Sequence, residues 1–229
     1  MTSFNSRTGA VLAQAGDYNA AQIPVSADAG AETVAAALNN KPNRNLLDNW
    51  YFVGGGTDGK FPVNQRGQTS YNIASSYTID RWMQIPDPGT IELTAEGLKF
   101  TGTETRNLCV AQFLDFSVSE DTLVTLSALY RGQIILDFWG ASTSPSPVIQ
   151  NGWGLHTFSY IIPAGTDLSQ RLYCPTVKTY HNQISYIAAV KLELGSQQTL
   201  AHQDEDGNWV LNEIPNYGEE LAKCQRYCY

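Results

Sequence analysis

Between residues 183 and 194, Ile184, Tyr186, Ala188, Val190, Leu192 and Leu194 fall on one side of a period of two, while Ser185, Lys191 and Glu193 fall on the other. Successive side chains of a strand point to opposite faces, so this run predicts a β-strand with one buried face. The same alternation passes through Leu108, Val110, Leu114 and Phe116, and again through Val124, Leu126, Ala128 and Tyr130. Ile91 and Leu93 stand against Leu98 and Phe100 across Ala95-Glu96-Gly97, the pattern of a hairpin. Residues 77–85, 133–139, 153–162 and 171–178 bring the total to about nine short strands punctuated by Gly, Pro, Asn and Asp. Two packed antiparallel sheets hold that number best, so the predicted fold is mainly β, an antiparallel jelly-roll-type β-sandwich over residues 43–195.

The two ends follow other patterns. Residues 1–42 carry only Phe4 and Tyr18 as aromatics and are Ala-rich, too little apolar surface to repay the entropy of folding alone. They are expected to be a stalk or attachment segment that orders against another chain, with one short helix capped by Asp28 and running to about Asn39 through Val34 and Leu38. Residues 196–229 form a C-terminal extension ending in a helix. Asn216 is a good N-cap, Glu219 and Glu220 occupy the first turn, and Lys223 and Arg226 occupy the last, all as the helix dipole prefers. Tyr217, Leu221, Cys224 and Cys228 recur at helical spacing, a stripe that needs either its own sandwich or a neighbouring copy to pack on.

Charge narrows the partners. The chain has 14 basic and 22 acidic residues, a net charge of −8, which argues against nucleic acid and anionic membranes as partners. Residues 196–229 hold six acids and two bases, so half of the net charge lies there. No run approaches the about 20 apolar residues that span a bilayer, and Met1 is not followed by a basic-then-apolar leader, so synthesis in the cytosol is expected. Cys109, Cys174, Cys224 and Cys228 are too sparse for a disulfide scaffold and are expected to be reduced thiols.

No nucleotide, zinc-protease or serine-hydrolase motif occurs, and Gly54-Gly55-Gly56 has no following lysine and reads as a mobile loop. No cofactor is expected. His156, His181 and His202 lack metal-ligand spacing. Zinc on Cys224, Cys228 and His202 competes with the place of Cys224 in the apolar stripe, and Asp204, Asp206 and Asn208 alternate as in a calcium loop without its closing glutamate. A glycosidase would need two carboxyl groups across a cleft, for which Asp80, Asp115, Asp137 and Glu193 are the candidates; strand carboxylates more often meet solvent or an arginine such as Arg81. No catalytic residue is assigned. Carbohydrate recognition uses flat rings beside amides and hydroxyls. The candidate platforms are Trp153 with Asn151, Tyr180 with His181 beside Asn182, and Tyr71 among Ser, Thr, Gln and Asn, all expected in loops. Trp50, Trp82 and Trp139 are expected in the core.

Three stretches carry a family likeness. The first is Phe4-Asn5-Ser6-Arg7-Thr8-Gly9-Ala10-Val11, followed by Ala15-Gly16-Asp17-Tyr18. The second is Asn45-Leu46-Leu47-Asp48-Asn49-Trp50-Tyr51-Phe52, with Pro62-Val63-Asn64-Gln65-Arg66-Gly67 and Tyr77-Thr78-Ile79-Asp80-Arg81-Trp82. The third joins Ala189-Val190-Lys191-Leu192-Glu193-Leu194-Gly195 to Tyr217-Gly218-Glu219-Glu220-Leu221-Ala222-Lys223-Cys224-Gln225-Arg226-Tyr227. In this order they resemble phage and prophage tail-fibre proteins of the receptor-binding kind, and the second stretch is also similar to the opening of carbohydrate-binding modules. Residues 86–188 carry no such signature. The resemblance implies a virion tail component, a homotrimer, other tail or baseplate proteins joined through the N-terminal segment, and adsorption to a host-surface glycan without catalysis. A polysaccharide depolymerase and a purely structural tail adaptor are the alternatives.

Overall fold

The alternating runs pair into antiparallel ladders, as half-buried strands must if their backbone groups are to be satisfied. In the computed structural model, residues 3–4, 7–8, 43–85, 89–103, 106–138, 141–170 and 174–227 are described. The expected helix over 28–39, Trp139 and Cys228 lie outside them. The chain divides into two units, Met1–Pro42 and Asn43–Tyr229. In the first, β1 (Ser3–Phe4) pairs antiparallel with β2 (Arg7–Thr8).

The second unit is mainly β, with two six-stranded antiparallel sheets around one core and a short C-terminal helix. One sheet contains β4 (Ser76–Tyr77), β5 (Trp82–Ile85), β8 (Cys109–Gln112), β10 (Ile134–Phe138), β11 (Ala141–Ser142) and β13 (Thr176–Thr179), in the order β11-β10-β13-β8-β5-β4. The other contains β3 (Ser70–Tyr71), β6 (Gly89–Thr94), β7 (Gly97–Gly102), β9 (Thr122–Gly132), β12 (Ile149–Ile162) and β14 (Ile184–Leu194), in the order β12-β9-β14-β7-β6-β3. Residues 196–229 belong to the same unit; a hairpin of β15 (Ala201–Gln203) and β16 (Trp209–Leu211) is followed by α1 (Tyr217–Gln225).

The core is the one the alternation marks: Ile91, Leu98 and Phe100 of the β6–β7 hairpin, Val124, Leu126, Ala128 and Tyr130 of β9, and Trp50 and Trp82 are all buried. Residues 77–85 form two short strands instead of one, because residues 78–81 turn the chain between β4 and β5. Phe116 lies past the end of β8 and is 41% exposed.

Strand β14 departs most from its expected reading. A bulge between Ile187 and Ala189 changes which side chains face the core, so Ser185 and Ile187 point inward before it while Ile184 is 52% exposed. Beyond the bulge the outer face is also buried, since the C-terminal extension folds over it. Lys191 is fully buried, with Nζ 3.0 Å from Oε1 of Glu213, and the Glu193 carboxylate accepts 2.6 Å hydrogen bonds from both N and Oγ1 of Thr199. Along its other edge β14 pairs first with β7 and then with residues 46–52, through Leu46 N to Leu192 O and Phe52 N to Ala188 O, each 2.8 Å.

Helix α1 starts where its cap predicts, Asn216 Oδ1 accepting from N of Gly218 at 2.9 Å and of Glu219 at 3.2 Å. Its apolar stripe packs on its own chain: Cys224, Leu221 and Tyr217 meet Phe61, Val63 and Tyr51. These three side chains therefore need no neighbouring copy to cover them.

Candidate functional site

Two places gather polar and aromatic side chains. The first is a buried polar knot centred on Asn49, whose φ of 51° is a left-handed conformation that Asn tolerates better than most residues. Asn49 Nδ2 donates to Val63 O at 2.8 Å and to Asp80 O at 2.9 Å, and Oδ1 accepts from Val63 N at 2.7 Å. Its carbonyl accepts from Trp82 Nε1 at 2.9 Å, and its N–H donates to Glu220 Oε2 of helix α1 at 2.7 Å. Lys223 reaches the other oxygen of Glu220. Asp80 accepts from the backbone and side chain of Gln65 and pairs with Arg66 at 2.8 Å. Arg81 is bonded to Asp48, Asp115 and Phe113 O, and its guanidinium lies 3.5 Å from the centre of the Tyr227 ring.

The second and third family-like stretches supply nearly all of these residues. Their partners are one another, as buried polar groups require. A polar hollow of about 370 Å³ opens beside the knot, but its Asp48 and Asp115 are already held by Arg81. The four carboxylates considered for hydrolysis are likewise engaged: Asp80 and Asp115 here, Asp137 by Lys178 at 2.5 Å and Ser142 at 2.6 Å, and Glu193 by Thr199.

The second place lies on the outer face of the β12-β9-β14-β7-β6-β3 sheet. Registers set Arg131 of β9 beside Tyr186 of β14, Tyr186 beside Lys99 of β7, and Lys99 beside Glu92 of β6. Trp153 extends this row at its β12 end, placed there by a break in register between Ile149 and Gly154, within which Gly152 takes a φ of +72° that favours glycine. Across five strands about 4.8 Å apart, the row measures roughly 19 Å.

Arg131 organises it. The guanidinium lies 4.3 Å from the centre of the Tyr186 ring and 5.5 Å from that of Trp153, and its two Nη atoms grip the Glu96 carboxylate at 3.1 and 2.7 Å. Those hydrogen bonds hold the Glu96 carboxyl below the usual carboxylate range. Lys99 pairs with Glu92 at 2.6 Å, which raises the lysine. Next to Trp153 a groove of about 450 Å³ is floored by Leu129 and Ala188 and walled by Trp209, Leu211 and Ile214. Both indoles are half-buried, and Ile214 is 67% exposed.

Of the five residues named from sequence as sugar-binding, Trp153 lines this groove and Asn151 is exposed two positions away, within strand β12 and not in a loop. Tyr180 and His181 stack on each other, centroids 4.2 Å apart, in the turn after β13 and do not line it. Tyr71 corrects its expectation. It lies in strand β3 and not in a loop, is only 6% exposed with its OH donating to Asn64 Oδ1 at 2.8 Å, and burial pushes its pKa up to about 12, so most of its ring belongs to the core and only its edge borders a hollow of about 160 Å³ with Gln68 and Asn72. Trp209, Arg131, Glu96 and Tyr186 join this place only through the fold. Trp209 closes the acidic turn that resembles a calcium loop, where Asp204 Oδ1 accepts from N of Asp206 and of Asn208. Among the described residues no cluster of three or more His, Cys, Asp or Glu is placed to hold a metal. The signal for Arg131 is its phase, one residue beyond the buried Tyr130; Tyr186 is hidden in sequence by the β14 bulge.

The chain matches no family model and no curated protein. Among solved structures it is similar to the CBM22-1 xylan-binding domain of Xyn10C from Paenibacillus barcinonensis, at 12% identity and a TM-score of 0.40, over 69% of this chain and 99% of that one. It is also similar to a BiXyn10A carbohydrate-binding module (16%, TM-score 0.37, 55% and 98%) and to the N-terminal cellulose-binding domain of β-1,4-glucanase C from Cellulomonas fimi (10%, TM-score 0.36, 54% and 94%). Likenesses of this size carry no ligand over to this chain.

Proposed function

We propose that the chain is a non-catalytic glycan-binding protein whose ligand lies in the groove between Trp153 and Trp209. One observation carries this: two half-buried indoles border an open groove beside the Arg131–Glu96 pair. A sugar's C–H face packs on an indole, and guanidinium N–H groups not used by Glu96 can meet its hydroxyls. Trp153→Ala and Trp209→Ala, each checked for folding by circular dichroism, are expected to lose binding on a glycan array that the parent protein retains. Unchanged binding by both would overturn the assignment.

The wider role proposed is that of a phage tail-fibre or receptor-binding protein: a homotrimer in the virion tail, joined to other tail or baseplate proteins through residues 1–42 and adsorbing to a host-surface glycan. Its support is the sequence resemblance of the three stretches. Three copies would turn weak individual contacts into firm attachment by effective concentration. Light scattering tests it, with a mass near three times 25.2 kDa expected and a strict monomer overturning it. A structural tail adaptor is the second reading, favoured by the place of the family-like residues in the knot and not in the groove.

A further inference from the structure

The charged groups around the groove are few. Among the described residues that line it, Glu96 is the charged side chain; Arg131, behind it, gives both Nη atoms to that carboxylate, and the nearby Lys191 is buried against Glu213. Farther along the same row Lys99 is matched by Glu92. The row therefore places two cations and two anions on one face, each cation already facing its counter-ion. Rings and hydrogen-bond donors remain, with no surplus charge.

An acidic sugar would meet this surface badly. Its carboxylate or sulfate would have to displace Glu96 from the Arg131 fork or lie against it, in a chain that already carries −8. A neutral sugar asks only for the indole faces and for N–H groups that Glu96 leaves over, since a guanidinium has five donors. Specificity can come from repulsion as much as from contact.

We infer that the groove selects uncharged glycans and that Glu96 sets this selection by neutralising Arg131. The inference rests on the glycan-binding function proposed above. Glu96 is a specificity-determining residue that acts through Arg131: with the carboxylate gone, the guanidinium between Tyr186 and Trp153 becomes an unpaired cation at the groove edge.

A glycan array bearing neutral oligosaccharides and oligosaccharides with uronic or sialic acid tests this, using the full chain, Glu96→Gln, the double variant Glu96→Gln/Arg131→Gln, and Trp153→Ala. The parent is expected to bind neutral spots in a Trp153-dependent way, changing less than about twofold between 0.1 and 1 M salt, over which screening shortens from about 10 to about 3 Å. Glu96→Gln is expected to gain binding to acidic spots that falls as salt rises, and the double variant to lose that gain. Glu96 is exposed, so its substitution leaves the fold intact. Trp153-dependent binding of the parent to acidic spots, or an unaltered preference in Glu96→Gln, would overturn the selection while leaving glycan binding standing. No binding of the parent to either class would remove both.

Discussion

The knot around Asn49 and the groove beside Trp153 are built from similar materials, amides, carboxylates, arginines and rings, yet the two differ in what is left over. In the knot the amide, carboxylates and indole N–H meet one another, from Asn49 to Val63, Asp80, Trp82 and Glu220. In the groove one ion pair is closed, while two indole rings stay half in solvent. A saturated polar cluster in low dielectric holds chain segments in place because each unpaired member would be costly. An unsaturated, partly apolar one is available to a ligand. Side-chain type alone does not separate the two; burial and the arithmetic of partners do.

The largest effect is expected in the knot. Asn49→Ala leaves the buried Val63 N–H and the Asp80 carbonyl without their partner and places Ala in a left-handed conformation, so a loss of about 3–5 kcal/mol is expected from denaturant titration. Glycan affinity per folded molecule should stay unchanged; a groove that failed with the knot would erase the distinction. Next, Glu220→Ala is expected to cost about 2 kcal/mol and to loosen helix α1. Burial raises the Cys224 thiol, so alkylation at that residue, read by peptide mass mapping near neutral pH, should be slow in the parent and fast in this variant.

In the groove the order is reversed. Trp153→Ala is expected to lose at least about tenfold in affinity, about 1.4 kcal/mol, with a smaller change in unfolding midpoint. Tyr180→Ala, outside the groove, should change affinity by less than about twofold, and a larger loss there would redraw the site. The smallest effect is that of pH on the clamp. The carboxyl of Glu96 is lowered in the folded state, so its pairing is present above the ordinary value of 4.5 and is lost as pH falls through its depressed folded value. Ligand titrations followed by tryptophan fluorescence should therefore show neutral-glycan binding little changed through that range, while a sulfated oligosaccharide, whose charge persists, gains affinity only below it, as it would in Glu96→Gln.

Much of the fold was legible in the chain because its signals are local. The β6–β7 hairpin lies within fourteen residues, the buried face of β9 is a plain alternation, and helix α1 begins at its own cap. The groove was legible only through Trp153. Its other side chains arrive through long-range events: a bulge that turns Tyr186 toward Arg131, a register that sets Lys99 next to it, and a hairpin that carries Trp209 and folds over β14. The same fold-back buries Lys191 and Glu193, which alternation assigns to solvent. A period of two reports that a strand has two faces, and says nothing of what later sequence lays upon them.

The bond from Asn49 to Glu220 spans 171 positions. During synthesis, the amide of Asn49 leaves the ribosome long before the carboxylate that will receive it, and contacts so distant in sequence close slowly. The sheets can assemble while this position is still wet, but the knot becomes dry only when helix α1 docks. Helix α1 thus serves as a seal: a chain cleaved before it would carry a hydrated fault beside Asn49, in what is otherwise dry interior.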